Sequence, residues 1–380
     1  MNRLLWYPPA ETRLSPRAFP GALLGNRSSF ESTLCSFLGT QRCVLANSGR
    51  ALMTLLLQAL KKADTKNRDQ VLIPAYTCYS VAASVAKAGL KIAVYDLDPH
   101  TFAPNEASLS QAAGSATLAI VHQHLFGIPQ PAGPVLQAAR GLGIPVIEDA
   151  AQGLGGFLNH TPMGALADYG IFSFGRGKPL ALGCGGALTG DSETLQSITP
   201  PAGKKGAAAM CSSLAVQLLA HPLLYGIMER LPLGLGRTIF DPGFAVAGMP
   251  PVMQRLAQSS FADLGPGSAR RRDIAAVYQS CLPGSRTVPE PEGARPAYPR
   301  FPFLAGTGEV SGQLFRLGVR RMYPRALVDE PKIVRYFARP GSKAPGARQI
   351  ARDLVTLPTH SRITRPVARR IAGLIMEGCR

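Results

Sequence analysis

Two neighbouring stretches decide how this chain folds: IPVIEDAAQGLGGF (Ile144–Phe157) and MGALADYGIFSFGRGKPLALGCGGAL (Met163–Leu188). The first begins as an apolar run and ends in Glu148 and Asp149, which predicts a buried strand with carboxylates at its carboxyl end. In sheets with parallel strands, ligands lie at that end. A carboxylate placed there is expected to face a cationic group.

From about Asn47 to Asp191 the sequence alternates between short apolar runs and longer helical patterns, which is typical of a parallel α/β sheet. The first such pattern predicts a helix at Gly49–Leu60. The predicted strands are Val71–Pro74, Lys91–Tyr95, Thr117–His122, Pro145–Glu148, Tyr169–Phe174 and Gly186–Thr189. We therefore expect an α/β fold with a mostly parallel central sheet and helices on both faces.

The second half of the chain is richer in Pro, Gly and Arg. It predicts a helix at Arg270–Cys281, short strands, and a final amphipathic helix at Arg365–Met376. We expect three parts: an N-terminal arm at residues 1–22, a large ligand-binding domain at 23–261, and a smaller α+β domain at 262–380.

Positive charge exceeds negative charge, with 41 Lys and Arg against 23 Asp and Glu. The excess is concentrated late, because the chain from Pro266 onward has 21 basic and 8 acidic residues. Such a surface attracts anions: a phosphate-bearing small substrate, an anionic membrane surface or a nucleic acid. The arginines are not interleaved with aromatic residues as in a nucleic-acid-binding module, so nucleic acid is the least favoured partner.

The seven cysteines are scattered, odd in number and never spaced as CxxC. This pattern fits neither a disulfide framework nor a structural zinc site, and it indicates a reducing compartment. Met1–Gly21 includes Trp6 and two adjacent prolines and has no unbroken apolar run, so it does not resemble a secretory signal. We expect a cytoplasmic protein.

One segment, Gly206–Met228, contains no charged residue. Gln217, His221 and Pro222 lie inside it, and its first half is mostly Ala, Ser and Gly, so it is less apolar than a membrane-spanning helix. A buried or subunit-interface helix is the simpler prediction. Peripheral contact with a membrane surface is the alternative.

Lys178 and Asp149 carry the predicted chemistry. Lys178 follows the run Phe172–Phe174 in a turn of small residues, where burial would lower its pKa so that the neutral amine can attack an aldehyde and later move protons. A buried Asp149 would keep a pyridine nitrogen protonated and make the ring an electron sink. Together they indicate pyridoxal 5'-phosphate (PLP), carried by Lys178 as a Schiff base, with Gln152 able to donate to its phenolic oxygen.

The cofactor's phosphate also has candidate partners. The hydroxyl of Ser173 is one. The backbone N–H groups of Ser48, Gly49 and Arg50 are the others, because they open a predicted helix whose positive end favours an anion.

The order and spacing of these residues resemble the DegT/StrS-type family of fold-type I PLP enzymes, mostly nucleotide-sugar aminotransferases. The stretches that carry the resemblance are NSGRAL (Asn47–Leu52), LIPAYTCYS (Leu72–Ser80), HLFG (His124–Gly127), EDAAQ (Glu148–Gln152), FSF with a lysine four residues later (Phe172–Lys178) and LVTLPTHSRIT (Leu354–Thr364). The resemblance implies the same cofactor roles: Lys178 as the Schiff-base lysine, Asp149 on the pyridine nitrogen and Gln152 on the phenolic oxygen.

The resemblance also implies an activity and an assembly. The expected reaction moves an amino group from an amino acid, glutamate by the family's pattern, to a keto group of a nucleotide-linked sugar or related acceptor. The expected context is polysaccharide or natural-product biosynthesis. The expected assembly is a homodimer with a shared active site.

Three positions depart from the family's pattern. Arg50 stands where Thr is usual, Cys78 stands where an aromatic residue stacks on the cofactor ring, and Cys184 replaces Glu in the usual GEGG. The family's Asn-and-Arg stretch from the partner subunit is also not recognisable around Gly243–Met249. Together with Cys78 and Cys184, this keeps a second hypothesis open, a catalytically silent PLP-binding regulator or membrane-associated scaffold. Some members replace the lysine with His and catalyse dehydration, and Lys178 argues against that branch.

Three further signals are set aside. His122 and His124 form an HxH pair, but no Cys, Asp or Glu follows at a suitable spacing, so we expect no metal site. The glycines within Gly183–Gly186 resemble half of a dinucleotide fingerprint but lack the later acidic residue. The run Arg270–Arg272 is more typical of a solvated or interface face than of a specific site.

Overall fold

The computed structural model describes residues 5–24, 29–203, 206–230, 239–306 and 309–378. Its helices are α1 (Ala18–Leu24), α2 (Phe30–Leu38), α3 (Gly49–Ala63), α4 (Tyr79–Lys87), α5 (Glu106–Ala112), α6 (Gly133–Leu142), α7 (Ala207–Leu219), α8 (Pro222–Arg230), α9 (Pro251–Ser260), α10 (Leu264–Cys281), α11 (Gly312–Arg316), α12 (Pro331–Val334), α13 (Pro345–Asp353) and α14 (Arg365–Gly378). Its strands are β1 (Arg42–Ala46), β2 (Gln70–Pro74), β3 (Lys91–Tyr95), β4 (Thr117–Gln123), β5 (Val146–Asp149), β6 (Phe157–Leu158), β7 (Thr161–Pro162), β8 (Tyr169–Ser173), β9 (Gly186–Gly190), β10 (Ala294–Arg295), β11 (Arg300–Leu304) and β12 (Leu354–Pro358).

A seven-stranded sheet of order β1-β9-β8-β5-β4-β2-β3 forms the centre of the fold. The five strands from β8 to β3 are parallel, and β9 runs antiparallel to both of its neighbours. All seven residues of β4 are buried, as expected where helices cover both faces of a sheet. The predicted α/β fold with a mostly parallel sheet is confirmed.

Each of the six predicted strands is present, with ends that shift by one residue at most. Strand β1 was not predicted, because its five residues include one β-branched side chain and it is held by nonlocal pairing with β9. The two-residue strands β6, β7 and β10 form a separate small sheet that was also missed. Such short strands leave no periodic pattern in a sequence.

The three predicted helices are present, and each extends beyond its predicted bounds at one end. Helix α3 begins at the predicted residue, where Ser48 caps it by accepting a hydrogen bond from the Ala51 N–H (3.3 Å). Helix α10 begins at Leu264 rather than Arg270, because the chain runs into it directly from a 3₁₀ turn at Phe261–Asp263 with no capping side chain.

In the C-terminal part, β11 and β12 pair antiparallel and α10 packs on α14. Buried residues of these elements belong to the same hydrophobic cluster as those of the central sheet. The domain boundaries at residues 22 and 261 stay predictions.

The uncharged segment at residues 206–228 is not a buried helix, so that version of the prediction is wrong. It forms α7 and α8 with a break at Ala220 and His221, and it contains six of the eight large exposed apolar residues in the described part of the chain. We call these six the α7–α8 apolar face: Leu214, Leu218, Leu219, Leu223, Leu224 and Ile227. Among the described residues, no helix is long and apolar enough to cross a membrane.

Two glycines bring the start of α3 against the sheet. A Cβ atom on Gly186 would lie 2.5 Å from the Gly49 nitrogen and 2.6 Å from the Phe172 carbonyl oxygen. A Cβ atom on Gly49 would lie 2.8 Å from the same oxygen. Strand β9 therefore needs glycine at this point if the N-terminus of α3 is to lie next to the end of β8.

We expect Gly186→Ala to lower the free energy of unfolding by about 1–3 kcal/mol, since backbone atoms must shift to accept the new methyl group. Urea unfolding measures this change. The matched control is Gly373→Ala in α14, where a Cβ atom would meet no other atom within 4 Å. That control should leave stability unchanged or raise it by about 0.4–1 kcal/mol. Equal effects of the two substitutions would contradict the close approach.

Candidate active site

All seven predicted site residues line one cavity of about 240 Å³ at the carboxyl ends of β4, β5 and β8 and the N-terminus of α3. They are Ser48, Gly49, Arg50, Asp149, Gln152, Ser173 and Lys178. This is the end of a parallel sheet where ligands bind. The structure thus brings the predicted residues together, while their roles stay predictions.

Asp149 is the last residue of β5, and its side chain accepts a hydrogen bond from the Ala151 N–H (3.1 Å). Among the described residues, no cationic group lies within ion-pair distance of it. Burial raises the pKa of Asp149, and the charge of Lys178 opposes that shift. A partly buried carboxylate of this kind favours a cationic ligand group in the cavity.

Lys178 lies in the connection between β8 and β9. Its backbone is fixed, because its N–H donates to the Gly175 carbonyl (3.3 Å) and its carbonyl accepts from the Thr12 hydroxyl (2.6 Å). Burial lowers the pKa of Lys178, while Cys78 and Asp149 favour the charged form. The lowered pKa favours the neutral, nucleophilic amine that was predicted from the sequence.

The predicted phosphate partners lie at the start of α3, with Ser173 beside them. The guanidinium of Arg50 is directed to the ring of Phe244, 4.5 Å from its centroid, and the residue is exposed. Arg50 can therefore offer its backbone N–H at the helix start while its side chain makes a cation–π contact elsewhere. This explains how the chain accommodates Arg where Thr is usual.

Gln152 donates from Nε2 to the hydroxyl of Tyr323 (3.1 Å), and both side chains line the cavity. Burial raises the pKa of Tyr323 well above its ordinary value, so its hydroxyl stays protonated. Tyr323 was not found in the sequence, because it comes from the loop after α11 and its neighbours form no motif.

Tyr76 and Tyr79 do not line the cavity, whereas Cys78 between them does. The hydroxyl of Tyr76 donates to the Met322 carbonyl (2.5 Å), and that of Tyr79 donates to the Arg325 carbonyl (3.1 Å). The two hydroxyls therefore hold the loop that contains Tyr323 against the residues at the start of α4.

Glu148 is fully buried and accepts three hydrogen bonds. His124 Nε2 donates to Oε1 (2.6 Å), the Gly164 N–H also donates to Oε1, and the Leu166 N–H donates to Oε2 (2.8 Å). Nδ1 of His124 accepts from the Gln130 N–H (3.0 Å), which places the ring proton on Nε2 and leaves the imidazole neutral. Burial acts to raise the pKa of Glu148, and these donors outweigh it, so the pKa lies below its ordinary value.

His122 is a core residue. Its Nε2 lies 3.0 Å from the Gln130 carbonyl oxygen, and burial lowers its pKa to about 4. Within the described ranges no three His, Cys, Asp or Glu side chains are grouped as metal ligands.

Gln123 and His124 also line the cavity and were not predicted as site residues. Both could have been predicted from the sequence, because they lie at the carboxyl end of the predicted strand β4, where ligands bind in a parallel sheet. Gln123 donates to the Tyr76 carbonyl (2.8 Å), and its buried Oε1 has no partner within the described part of the chain.

The N-terminal segment at residues 8–12, which we call the N-terminal strap, holds the Lys178 connection in place. The Thr12 hydroxyl donates to the Lys178 carbonyl and accepts from Arg271 Nη2 (2.7 Å). Arg271 Nη2 also donates to the Pro179 carbonyl (3.1 Å). Arg271 is buried, so this member of the predicted solvated run Arg270–Arg272 is instead structural.

The closing stretch Leu354–Thr364 binds the other end of the strap. Nε2 of His360 donates to the Pro8 carbonyl (2.9 Å), and Arg362 Nε bonds both carboxylate oxygens of Glu11 (2.7 and 3.0 Å). The stretch therefore acts on the site through the strap and not by contact with the cavity.

We expect Glu148→Gln to lower the free energy of unfolding at pH 7 by about 1–3 kcal/mol, since an NH₂ group would then face an N–H donor. The folded pKa of Glu148 lies below its ordinary value of 4.5. The stability it contributes is therefore present above pH 4.5 and is lost as the pH falls through the folded pKa. The variant should lose less stability than the wild type in that acidic range.

Urea unfolding as a function of pH measures this difference, with Glu377→Gln on the surface of α14 as the matched control. Identical pH profiles for the wild type and Glu148→Gln would contradict the assignment.

Comparison with known proteins identifies the family. Residues 23–212, half of the chain, match the model of the DegT/DnrJ/EryC1/StrS aminotransferase family. One relative is the UDP-N-acetyl-3-dehydro-α-D-glucosamine 3-aminotransferase of Acidithiobacillus ferrooxidans, 32% identical over 174 residues that make up 45% of this chain and 46% of that protein. The chain matches less than half the length of its first curated relatives.

Solved structures match over nearly the whole chain. A DegT DnrJ EryC1 StrS aminotransferase from Brucella abortus is 23% identical, with a TM-score of 0.70 over 95% of this chain and 94% of that one. The GDP-4-keto-6-deoxy-D-mannose-3-dehydratase of E. coli, solved with hydrated PLP, is 16% identical, with a TM-score of 0.74 over 99% of this chain and 100% of that one. At these identities the likeness establishes the fold alone.

The family model covers the strands that form the cavity and every predicted site residue. The family predicted from the sequence motifs is thereby confirmed, and the chain belongs to the DegT/DnrJ/EryC1/StrS aminotransferase family.

Proposed function

We propose that this protein is a PLP-dependent aminotransferase that moves an amino group from an amino acid to a keto group of a nucleotide-linked sugar or related acceptor. The observation that carries the proposal is that Asp149 and Lys178 line one cavity. Burial raises the pKa of Asp149, a shift that a cationic ring nitrogen would oppose, and lowers the pKa of Lys178, which favours the neutral amine. Glutamate is the proposed donor by family resemblance. The proposed setting is polysaccharide or natural-product biosynthesis in the cytoplasm.

The residues of the cavity fit PLP. A carboxylate without a cationic partner suits the ring nitrogen, a lysine with a lowered pKa suits the aldehyde, and the start of α3 with Ser173 suits the phosphate. When bound, PLP supplies an electron-poor ring that stabilises negative charge on the carbon beside a reacting amine.

The chain's own residues would then share the work. Asp149 holds a proton on the ring nitrogen by charge pairing in a buried site. Lys178 would hold the cofactor through Nζ. Once the donor's amine has replaced it there, the free Nζ would accept a proton from the donor's α-carbon as a base and give it up again as an acid. The Thr12 and Arg271 contacts keep the Lys178 backbone in position while its side chain moves.

Gln152 and Tyr323 would act on the phenolic oxygen side of the ring. Tyr323 accepts a hydrogen bond from Gln152 Nε2 and keeps its own proton, so its hydroxyl is a further donor directed from the C-terminal part of the chain. This contact also orients the amide of Gln152.

We expect Lys178→Ala to lose the absorption band of lysine-bound PLP and to lower turnover by at least about 10²-fold, because the acid and base is removed. The absorbance spectrum, recorded before and after glutamate is added, measures both. Lys332→Ala removes an equal charge from an exposed position and should behave as the wild type. A wild-type band that ignores every amino donor would refute the proposed activity.

That last outcome would favour the second candidate, a PLP-binding regulator or membrane-associated scaffold without turnover. The α7–α8 apolar face favours a binding role of some kind, since large apolar patches on a surface are commonly contact sites. It is equally compatible with an enzyme that assembles with a second subunit.

We propose that the protein is a homodimer and that the α7–α8 apolar face is covered by the partner subunit. The support is its apolar character, with Leu218 68% and Ile227 58% exposed, which is unfavourable in water. Contact with an anionic membrane surface is the alternative, in line with the net positive charge.

We expect the double variant Leu218→Glu/Leu223→Glu to dissociate the dimer, because it places four charges in a symmetric contact. Light scattering after gel filtration measures the mass. Leu23→Glu, which changes an exposed leucine on α1, is the control. If the double variant stays dimeric and instead abolishes wild-type flotation with anionic vesicles, the face is a membrane contact.

A further inference from the structure

A second cavity lies behind the Lys178 connection, and Arg300 is one of the cations that line it. This cavity, of about 170 Å³, shares a wall with the candidate active site, since Gly177 and Met322 line it while Lys178 and Tyr323 line the other. We call it the arginine cavity. The cations that line it are Arg176, Arg300, Arg320 and Arg321.

Two carboxylates also line the arginine cavity, and each is already paired. Glu11 binds Arg362, and Glu229 binds Arg320 Nη2 (3.1 Å). Neither is therefore available to neutralise Arg300.

Arg300 itself makes contacts with neutral groups. Its Nη1 donates to Met322 Sδ (3.0 Å) and to the Thr356 hydroxyl (3.3 Å). Among the described residues, no carboxylate lies within ion-pair distance of it. Burial lowers its pKa to about 10, the mark of a guanidinium without a counter-ion. A partly buried cation without a carboxylate partner favours an anion in the cavity that it lines.

The position of Arg300 selects the kind of anion. Arg300 lines the arginine cavity together with Gly177, the residue before Lys178, so an anion bound there lies next to the Lys178 connection. In an amino acid the carboxylate is attached to the same carbon as the reacting amine. In a nucleotide-linked sugar the phosphates are separated from a ring keto group by several bonds. An anion bound beside the reacting lysine is therefore expected to be a carboxylate.

We propose that Arg300 binds the α-carboxylate of the amino donor from within the arginine cavity. This inference rests on the proposed aminotransferase function. Arg300 is the first residue of β11, and its pairing with Pro358 of β12 fixes the direction of its side chain. The inner side of α7 and α8 closes the cavity through Val216, Gln217, Ala220 and Tyr225. The uncharged segment thus has two faces, one exposed and one that shapes the donor site.

The test follows the spectral change of the PLP-loaded protein with two donors, L-glutamate and its α-amide, which lacks the α-carboxylate. We expect Arg300→Gln to lower kcat/KM of the glutamate half-reaction by about 10²-fold and to change that of the amide by less than about threefold. Arg300→Lys keeps the positive charge but not the two parallel N–H donors of the guanidinium, so it should recover part of the loss. Arg335→Gln changes an exposed arginine that lines neither cavity, and it should match the wild type.

A binding measurement keeps the proposal testable without turnover. Isothermal titration with maleate, a dicarboxylate that cannot react, should show binding to the wild type and to Arg335→Gln and at least about tenfold weaker binding to Arg300→Gln. Circular dichroism and the melting temperature confirm that each variant is folded, and Arg300→Lys replaces Arg300→Gln if the latter is not.

Each other outcome counts against the proposal. Equal losses with glutamate and its amide would make Arg300 structural. An unchanged glutamate half-reaction with a raised KM for the acceptor would assign Arg300 to a phosphate. If the wild type reacts with no donor, the proposed function fails. The maleate titration then decides separately whether Arg300 binds a carboxylate.

Discussion

The buried carboxylate of Glu148 is the interaction on which the active-site framework depends. It accepts hydrogen bonds from His124 at the end of β4 and from the N–H groups of Gly164 and Leu166 before β8. Because a charge removed from water needs such donors, these three segments are held at a fixed spacing around β5. The neighbouring Asp149 has one backbone donor and a raised pKa. Two adjacent acids therefore have different tasks, one holding the framework and one facing the cavity.

Distant parts of the chain position the lysine. The N-terminal strap contributes Thr12, helix α10 contributes Arg271, and the stretch after β12 contributes His360 and Arg362. A neutral amine in a cavity is useful only if its backbone does not move away, and each of these bonds restrains that backbone directly or through the strap. Many of the late arginines are thus used within the protein.

The net charge of +18 therefore overstates how much positive charge is available to bind an external anion. Arg270 pairs with Asp273 (3.0 Å), and Arg320 pairs with Glu229. Arg300 differs, because its described contacts are neutral and it faces a cavity. In addition to the exposed basic residues of the C-terminal part, the chain therefore has a cation in an internal cavity, where only a small anion fits.

By itself the sequence determined six of the seven strands of the central sheet, the family and the site residues that follow β5 and β8, because buried strands and ligand-binding turns have local patterns. Asp149, Lys178 and the start of α3 follow directly from such patterns. Only the tertiary structure decided that Tyr323 meets Gln152 and that Thr12 holds Lys178. It also decided that Arg300 lines the cavity behind the Lys178 connection and has no carboxylate partner among the described residues. It also decided that the uncharged segment is a broken, exposed pair of helices. These features depend on contacts between residues far apart in the chain, and nothing in the residues on either side encodes such contacts.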